Sequence, residues 1–148
     1  MKQNLRRHLF VSLAFLGTLT VSAAHASESF LRPLVGHHNL KGDAGCQDLV
    51  IGYNSGSYTA VANGNYYILG QLDSEASVKS MRVSGNTYQM SFTFWKGFAW
   101  TDGVHSETKI TTSADGRSIE SLSAVYSEPR NKADFSPRVL RKLSCVRK

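Results

Sequence analysis

From residue 47 onward the chain alternates. Val, Ile, Tyr, Phe and Thr recur at every second position in short runs. Polar turn residues separate the runs: Asn54-Ser55-Gly56, Asn63-Gly64, residues 73–76, Ser84-Gly85-Asn86, Asp102-Gly103 and Asp115-Gly116. Alternation sends successive side chains to opposite faces of an extended backbone, so the pattern predicts half-buried β-strands. No 3.6-residue apolar period holds over a window of about 11 residues, and the expected fold class is all-β. The runs predict eight strands, at residues 47–53, 57–62, 65–72, 77–83, 87–100, 104–112, 118–126 and 138–146. Asn63-Gly64 is the sharpest turn signal, because a two-residue hairpin loop needs positive φ at both positions and this pair tolerates it. Residues 37–41 carry a weaker signal for an additional strand.

Cys46 and Cys145 are the only cysteines, and they flank the strand series. In an up-and-down meander with an even strand count, the start of the first strand and the end of the last lie at the same end of the sheet. If the sheet curls until those two strands are neighbours, a disulfide can span them, and closure removes both exposed edges. The expected architecture is therefore a small antiparallel up-and-down barrel of about eight strands, with a Cys46–Cys145 disulfide joining first and last strands. An extra strand near residues 37–41 would spoil the even count. The architecture is similar to lipocalin-type and avidin-type barrels, although the Gly-x-Trp opening of lipocalins is missing: Gly36 is followed by His37 and His38. That similarity implies a fold and no site.

Within residues 87–103 the alternation becomes aromatic: Tyr88, Met90, Phe92, Phe94, Phe98 and Trp100 share one parity, and Lys96 interrupts them. A three-residue loop at Thr101-Asp102-Gly103 pairs Trp100 with Val104, Phe98 with Ser106, Lys96 with Thr108 and Phe94 with Ile110. Parity then holds throughout, with His105, Glu107, Lys109 and Thr111 outside and the aromatics inside. A two-residue loop at Asp102-Gly103 would put aromatics and charges on one side and require a bulge near Gly97. The three-residue register leaves Lys96 facing inward, where an ammonium among aromatic walls must be paired, hydrated or neutral. Flat apolar walls, one cation and facing hydroxyls suit an anionic or carbonyl-bearing ligand. The candidate ligand-binding residues are Tyr88, Phe92, Phe94, Lys96, Phe98, Trp100 and Thr108. Against this stands a plain core in which the aromatics fill the interior and Lys96 snorkels to water at the barrel mouth; eight strands accommodate either arrangement.

Upstream of the strands, Lys2, Arg6 and Arg7 precede an apolar run at residues 9–24 and the tripeptide Ala24-His25-Ala26. A basic start, an apolar middle and small residues before the break are the marks of a signal peptide, with cleavage expected after Ala26. Residues 27–148 then form a single domain, with an N-terminal extension at 27–45 and no transmembrane segment. An exported chain matures where a disulfide persists, so the expected localisation is periplasmic or secreted. The whole chain carries 17 Lys and Arg against 11 Asp and Glu. Without the three basic residues of the leader, the balance falls from 17 to 14 against 11, a net +3. From Arg130 onward there are seven basic residues and one acid, Asp134. That basic segment suits electrostatic contact with anionic surfaces. Residues 127–137 read as a long surface connection or a lid, since Pro129 and Pro137 bar it from any ladder.

Other chemistry is thin. Adjacent His37 and His38 point to opposite faces of an extended segment, and with His105 and Asp43 they make no spaced ligand set, so no metal and no cofactor are expected. No Gly-x-Ser-x-Gly context occurs, and no catalytic residue is assigned; Tyr88, Lys96 and Asp102 are the only candidates worth testing for an enzyme. Export, and a basic segment without interleaved aromatics, argue against nucleic acid. The expectation is an exported non-enzymatic binding protein for a small apolar or anionic ligand. Its competitor is a protein-interaction module, such as an inhibitor or immunity-type protein acting on an envelope or extracellular enzyme.

Overall fold

The structure is a computed structural model that describes residues 22–72, 77–94, 103–129 and 138–148. It is mostly β, with all ladders antiparallel. Ten strands are described: β1 (Gly36–His38), β2 (Lys41–Gly42), β3 (Leu49–Asn54), β4 (Ser57–Ala62), β5 (Asn65–Gln71), β6 (Ser77–Ser84), β7 (Thr87–Phe94), β8 (His105–Thr112), β9 (Ile119–Pro129) and β10 (Arg138–Val146). They form a four-stranded sheet in the order β1-β3-β4-β5 and a six-stranded sheet in the order β2-β10-β9-β8-β7-β6. The eight long strands follow one another as the alternation predicts. Asn63 and Gly64 hold φ of 50° and 73° in the β4–β5 hairpin, as a two-residue loop matched to strand twist requires.

Three features differ from expectation. First, Ala23–Leu31 forms a helix, α1. The Ser22 hydroxyl caps it by accepting from the His25 amide at 3.2 Å, and three alanines supply helix propensity. The nine-residue helix is too short for a periodicity test, and its hold on the fold comes from Leu31, fully buried, and Phe30, stacked on Tyr88 with ring centroids 5.5 Å apart. The expected processing position after Ala26 lies inside it. Second, the weak signal near residues 37–41 is a pair of short strands. β1 pairs with β3 and β2 pairs with β10, so this bent segment, rather than direct contact of first and last long strands, spans the seam between the sheets. Gly42 allows the close approach: with φ at +135°, a Cβ there would lie 2.2 Å from the Ser144 carbonyl oxygen. The Asp43 carboxylate extends the same ladder by accepting from the Ser144 amide at 2.8 Å. Third, Pro129 ends β9 with Arg138 as its partner, a terminal position where a missing N–H is tolerated.

The disulfide is present. Cys46, in a short 3-10 turn (Cys46–Asp48) just before β3, joins Cys145 of β10 with Cα atoms 5.6 Å apart. Both cysteines belong to the core, with Leu49, Ile51, Tyr58, Ala60, Tyr67 and Leu69 from the smaller sheet facing Tyr88, Ile110, Leu122, Ala124 and Leu143 from the larger. Among the described residues, no helix is long and apolar enough to cross a membrane.

The β7–β8 hairpin keeps the expected faces and changes the register. Phe92 pairs with Ser106, Met90 with Thr108 and Tyr88 with Ile110, six residues away from the pairing that a three-residue loop would set. An even shift preserves parity, so Tyr88, Met90 and Phe92 still face inward and His105, Glu107 and Lys109 outward. The described strand runs to Phe94, and the rest of the expected strand, residues 95–100, lies outside the described residues.

Candidate functional site

Tyr88 and Phe92 are buried on the inward face of β7, beside Ser106 and Thr108 on β8. Thr108 faces Met90, so it does not stand opposite Lys96 in the ladder. Lys96, Phe98 and Trp100, and the side chain of Phe94, lie outside the described residues. The inward hydroxyls have a definite occupation. β5 is the edge strand of the smaller sheet, and the Ile68 carbonyl accepts from Ser106 Oγ at 3.0 Å and Thr108 Oγ1 at 2.9 Å. The neighbouring Leu69 carbonyl accepts from the Tyr88 hydroxyl at 2.7 Å. Edge-strand carbonyls turned into a protein interior need donors, and β7 and β8 supply them. An inward lysine also exists, on β6. Lys79 pairs with Phe92 across the ladder and its ammonium reaches the carbonyls of Gln71 and Leu72 at 3.4 and 3.5 Å. It caps the end of β5 across the β5–β6 gap.

A cation amid aromatic walls and hydroxyls is found elsewhere, at one end of the space between the sheets. β10 buries Leu143 and Cys145, and the same parity brings Arg141 inward. Arg141 pairs with Tyr126 of β9, and its guanidinium carbon lies 4.3 Å from the centre of the Tyr126 ring and 5.1 Å from that of Tyr66 on β5. The two tyrosine rings meet edge to face at 5.2 Å. The Tyr126 hydroxyl donates to Glu128 Oε2 at 2.9 Å, which leaves Tyr66 to donate to Tyr126, also at 2.9 Å. Aromatic faces attract the guanidinium through their quadrupoles, and they fix its plane. Its Nε is buried and has no hydrogen-bond partner, and among the described residues no carboxylate lies within ion-pair distance of it. Tyr66 remains 44% exposed, so the cluster opens to solvent on the β5 side. A planar, always-charged fork in this setting is suited to bidentate contact with a carboxylate. With one cation and one anion in the cluster, a monoanion is better matched than a phosphate dianion.

The tyrosines carry a second signature. Burial, reinforced by the hydrogen bonds with Tyr66 and then Glu128, pushes the Tyr126 phenol well above its ordinary value of 10.0. Burial does the same to Tyr88, opposed by the neighbouring Ser27 hydroxyl, and raises Tyr67, opposed by the Arg141 charge. A phenol that stays protonated in the folded chain while the unfolded chain ionises near pH 10 makes the folded state bind more protons above that pH. Its stabilising contribution is complete below about pH 10 and is lost as pH rises toward the folded value. Stability is expected to fall above pH 10, by up to about 1.4 kcal/mol per pH unit for each of Tyr88 and Tyr126. Urea unfolding at pH 8, 10 and 11 reads this directly, and an unfolding midpoint that stays level across the series would refute it.

The remaining sequence candidates are placed apart. His38 Nε2 lies 2.7 Å from the Leu34 carbonyl oxygen. His105 bridges Thr93 Oγ1 at 2.8 Å and Glu107 at 3.2 Å on the outer face. Among the described residues, no group of three or more His, Cys, Asp or Glu side chains is placed to hold a metal ion. Comparison with protein-family models, with curated proteins and with solved structures finds no match to this chain.

Proposed function

We propose that the chain is an exported, non-enzymatic binding protein that takes a small carboxylate-bearing ligand at the Arg141 end of its β shell. In this reading the two sheets act as one barrel-like enclosure, sealed by β1 and β2 on one side and capped by Lys79 on the other. Processing after Ala26 would retain Phe30 and Leu31, which anchor α1 to the core. The observation that carries the reading is the guanidinium of Arg141, held between two tyrosine rings with a buried Nε that no acceptor meets. Such a group is costly to bury unless something completes its hydrogen bonding, and a ligand carboxylate would do so.

The test is native mass spectrometry of the secreted protein from its own host, followed by NMR titration with benzoate and decanoate. A retained acid, or saturable shifts at Tyr66 and Tyr126, is expected. Arg141→Met should weaken carboxylate binding by roughly 10- to 100-fold while leaving the unfolding midpoint equal or higher, because an apolar side chain of similar length replaces a poorly paired charge. Absence of any retained acid and of any titration response would overturn the proposal. Lys96→Met in parallel reports whether the lysine of the aromatic run shares the ligand.

A second reading has one observation in its favour. Val61 and Tyr66, neighbours in the ladder, are exposed on the outer face of the four-stranded sheet at 44% each. An apolar patch of this kind suits a protein partner such as an envelope or extracellular enzyme. A protein that co-purifies in place of a small acid, and is released by Val61→Lys, would favour it.

A further inference from the structure

The outward face of the six-stranded sheet carries a groove of about 470 Å³. Its floor is made of short side chains, Ser80, Ser91 and Ser123, and its walls include Arg82, Gln89 and Lys109. Across the ladder, Arg82 of β6 is opposite Gln89, Gln89 is opposite Lys109 of β8, and Lys109 is opposite Ser123. Ser144 of β10 is opposite Ser123, and Lys142, exposed on the same face, stands in the next row, opposite Val125, which is opposite Glu107. Outward positions on a sheet are polar as a rule, so polarity alone says little. The pairing pattern says more. Away from this face, Arg32 pairs with Glu28 and Arg147 with Glu120, and the Asp115 carboxyl is held below its ordinary value by the Ser113 hydroxyl with help from the Arg117 charge. Glu107, the one acid in the groove lining, is turned toward His105. Among the described residues, no carboxylate lies within ion-pair distance of Arg82, Lys109 or Lys142.

The three cations stand on alternate strands, Arg82 and Lys109 in one row and Lys142 two residues along β10 from it, so a polymer laid obliquely across the sheet meets one about every 10 to 12 Å. That step suits a chain with one acid on every second unit. Duplex nucleic acid presents phosphates about every 3.4 Å along each strand, and single strands are held by aromatic stacking platforms, of which the groove lining has none. Serine hydroxyls and the Gln89 amide, placed between the cations, match the hydroxyls of intervening neutral sugars. We infer that this face binds an acidic polysaccharide carrying one carboxylate per disaccharide, by a stripe of cations independent of the Arg141 site.

The experiment is isothermal titration of the full secreted chain with hyaluronate, with neutral dextran and oligothymidylate as comparisons. Hyaluronate binding that weakens with salt is expected, with a slope of roughly two to three released ions. Arg82→Gln, Lys109→Gln and Lys142→Gln should each weaken it about two- to fivefold, and the triple variant at least about 30-fold, with loss of the salt dependence. These side chains are exposed, so thermal unfolding should be unchanged; if the triple variant does not fold, the three single variants carry the test. No hyaluronate binding at low salt, equal binding by the triple variant, or tighter binding of oligothymidylate would each overturn the inference.

Discussion

Replacing Cys46 and Cys145 together with alanine is expected to lower the free energy of unfolding by about 4–5 kcal/mol. The bond spans 99 residues, and on the chain-entropy model a closed loop of that size removes about 4.7 kcal/mol of denatured-state freedom. Typical domains have about 5–15 kcal/mol in total, so the variant should unfold at low urea or lack a cooperative transition. Location adds to the loss. Cys46 lies at a junction where the Leu40 amide donates to its carbonyl at 2.9 Å and its own amide donates to Asp43 at 3.1 Å, while Cys145 pairs with Gly42 in β2. The bond thus holds β2, β10 and the entry to β3 in one place. Hydrogen exchange should accelerate first at Gly42, Asp43 and Ser144, before the centre of the six-stranded sheet. A urea midpoint within error of the wild type would show that the β1–β2 segment keeps the seam without its covalent tie.

Alternation was sufficient for most of the strands because period-two burial depends only on near neighbours in sequence. Residues 57–62 and 138–146 end where the turn residues say they end. The cysteines were likewise legible, since in a chain with two thiols each has one partner to bond with. Register was not. Residues 87–93 keep the same inward parity in the expected register and in one shifted by six residues, and the pleat rewards parity alone. The difference arises from tertiary demand: Ser106 and Thr108 are where they meet the Ile68 carbonyl, a contact between strands far apart in sequence. The seam had a similar cause. A bend at Gly42 is recognisable only once Ser144 is known to lie against it.

The Arg141 cluster was within reach of the sequence through one unused step. A cysteine bonded inside a core fixes the parity of its strand, so an inward Cys145 makes Leu143 and Arg141 inward too. The arginine, rather than Lys96, then becomes a described cation among aromatics. Its partners Tyr66 and Tyr126 are separated by 60 residues, and nothing local announces that β5 crosses over β9. Lys79 shows the opposite case: its inward parity followed from the β6 alternation, and the β5 carbonyls it caps are a need that only the gap between the sheets creates.

The hydroxyls on β7 and β8 allow a prediction that separates scaffold from ligand site. Ile68 presents one carbonyl to two donors, Ser106 and Thr108. Removing either donor leaves the other in place, so Ser106→Ala and Thr108→Val should each cost no more than about 1 kcal/mol. Removing both leaves a buried carbonyl without those donors, and the double variant should lose about 2–3 kcal/mol, more than the sum of the singles. Adding Tyr88→Phe strips the donor from Leu69 as well and should bring the total to about 3–5 kcal/mol. Urea unfolding of the set gives a double-mutant cycle whose coupling reports the shared acceptor. Additive losses, or a triple variant as stable as wild type, would mean that water or another group satisfies β5 in their place and that the hydroxyls are available to a ligand. If coupling is found and carboxylate binding at Arg141 survives in Ser106→Ala, the interior hydroxyls belong to the edge of β5 and the ligand to the mouth.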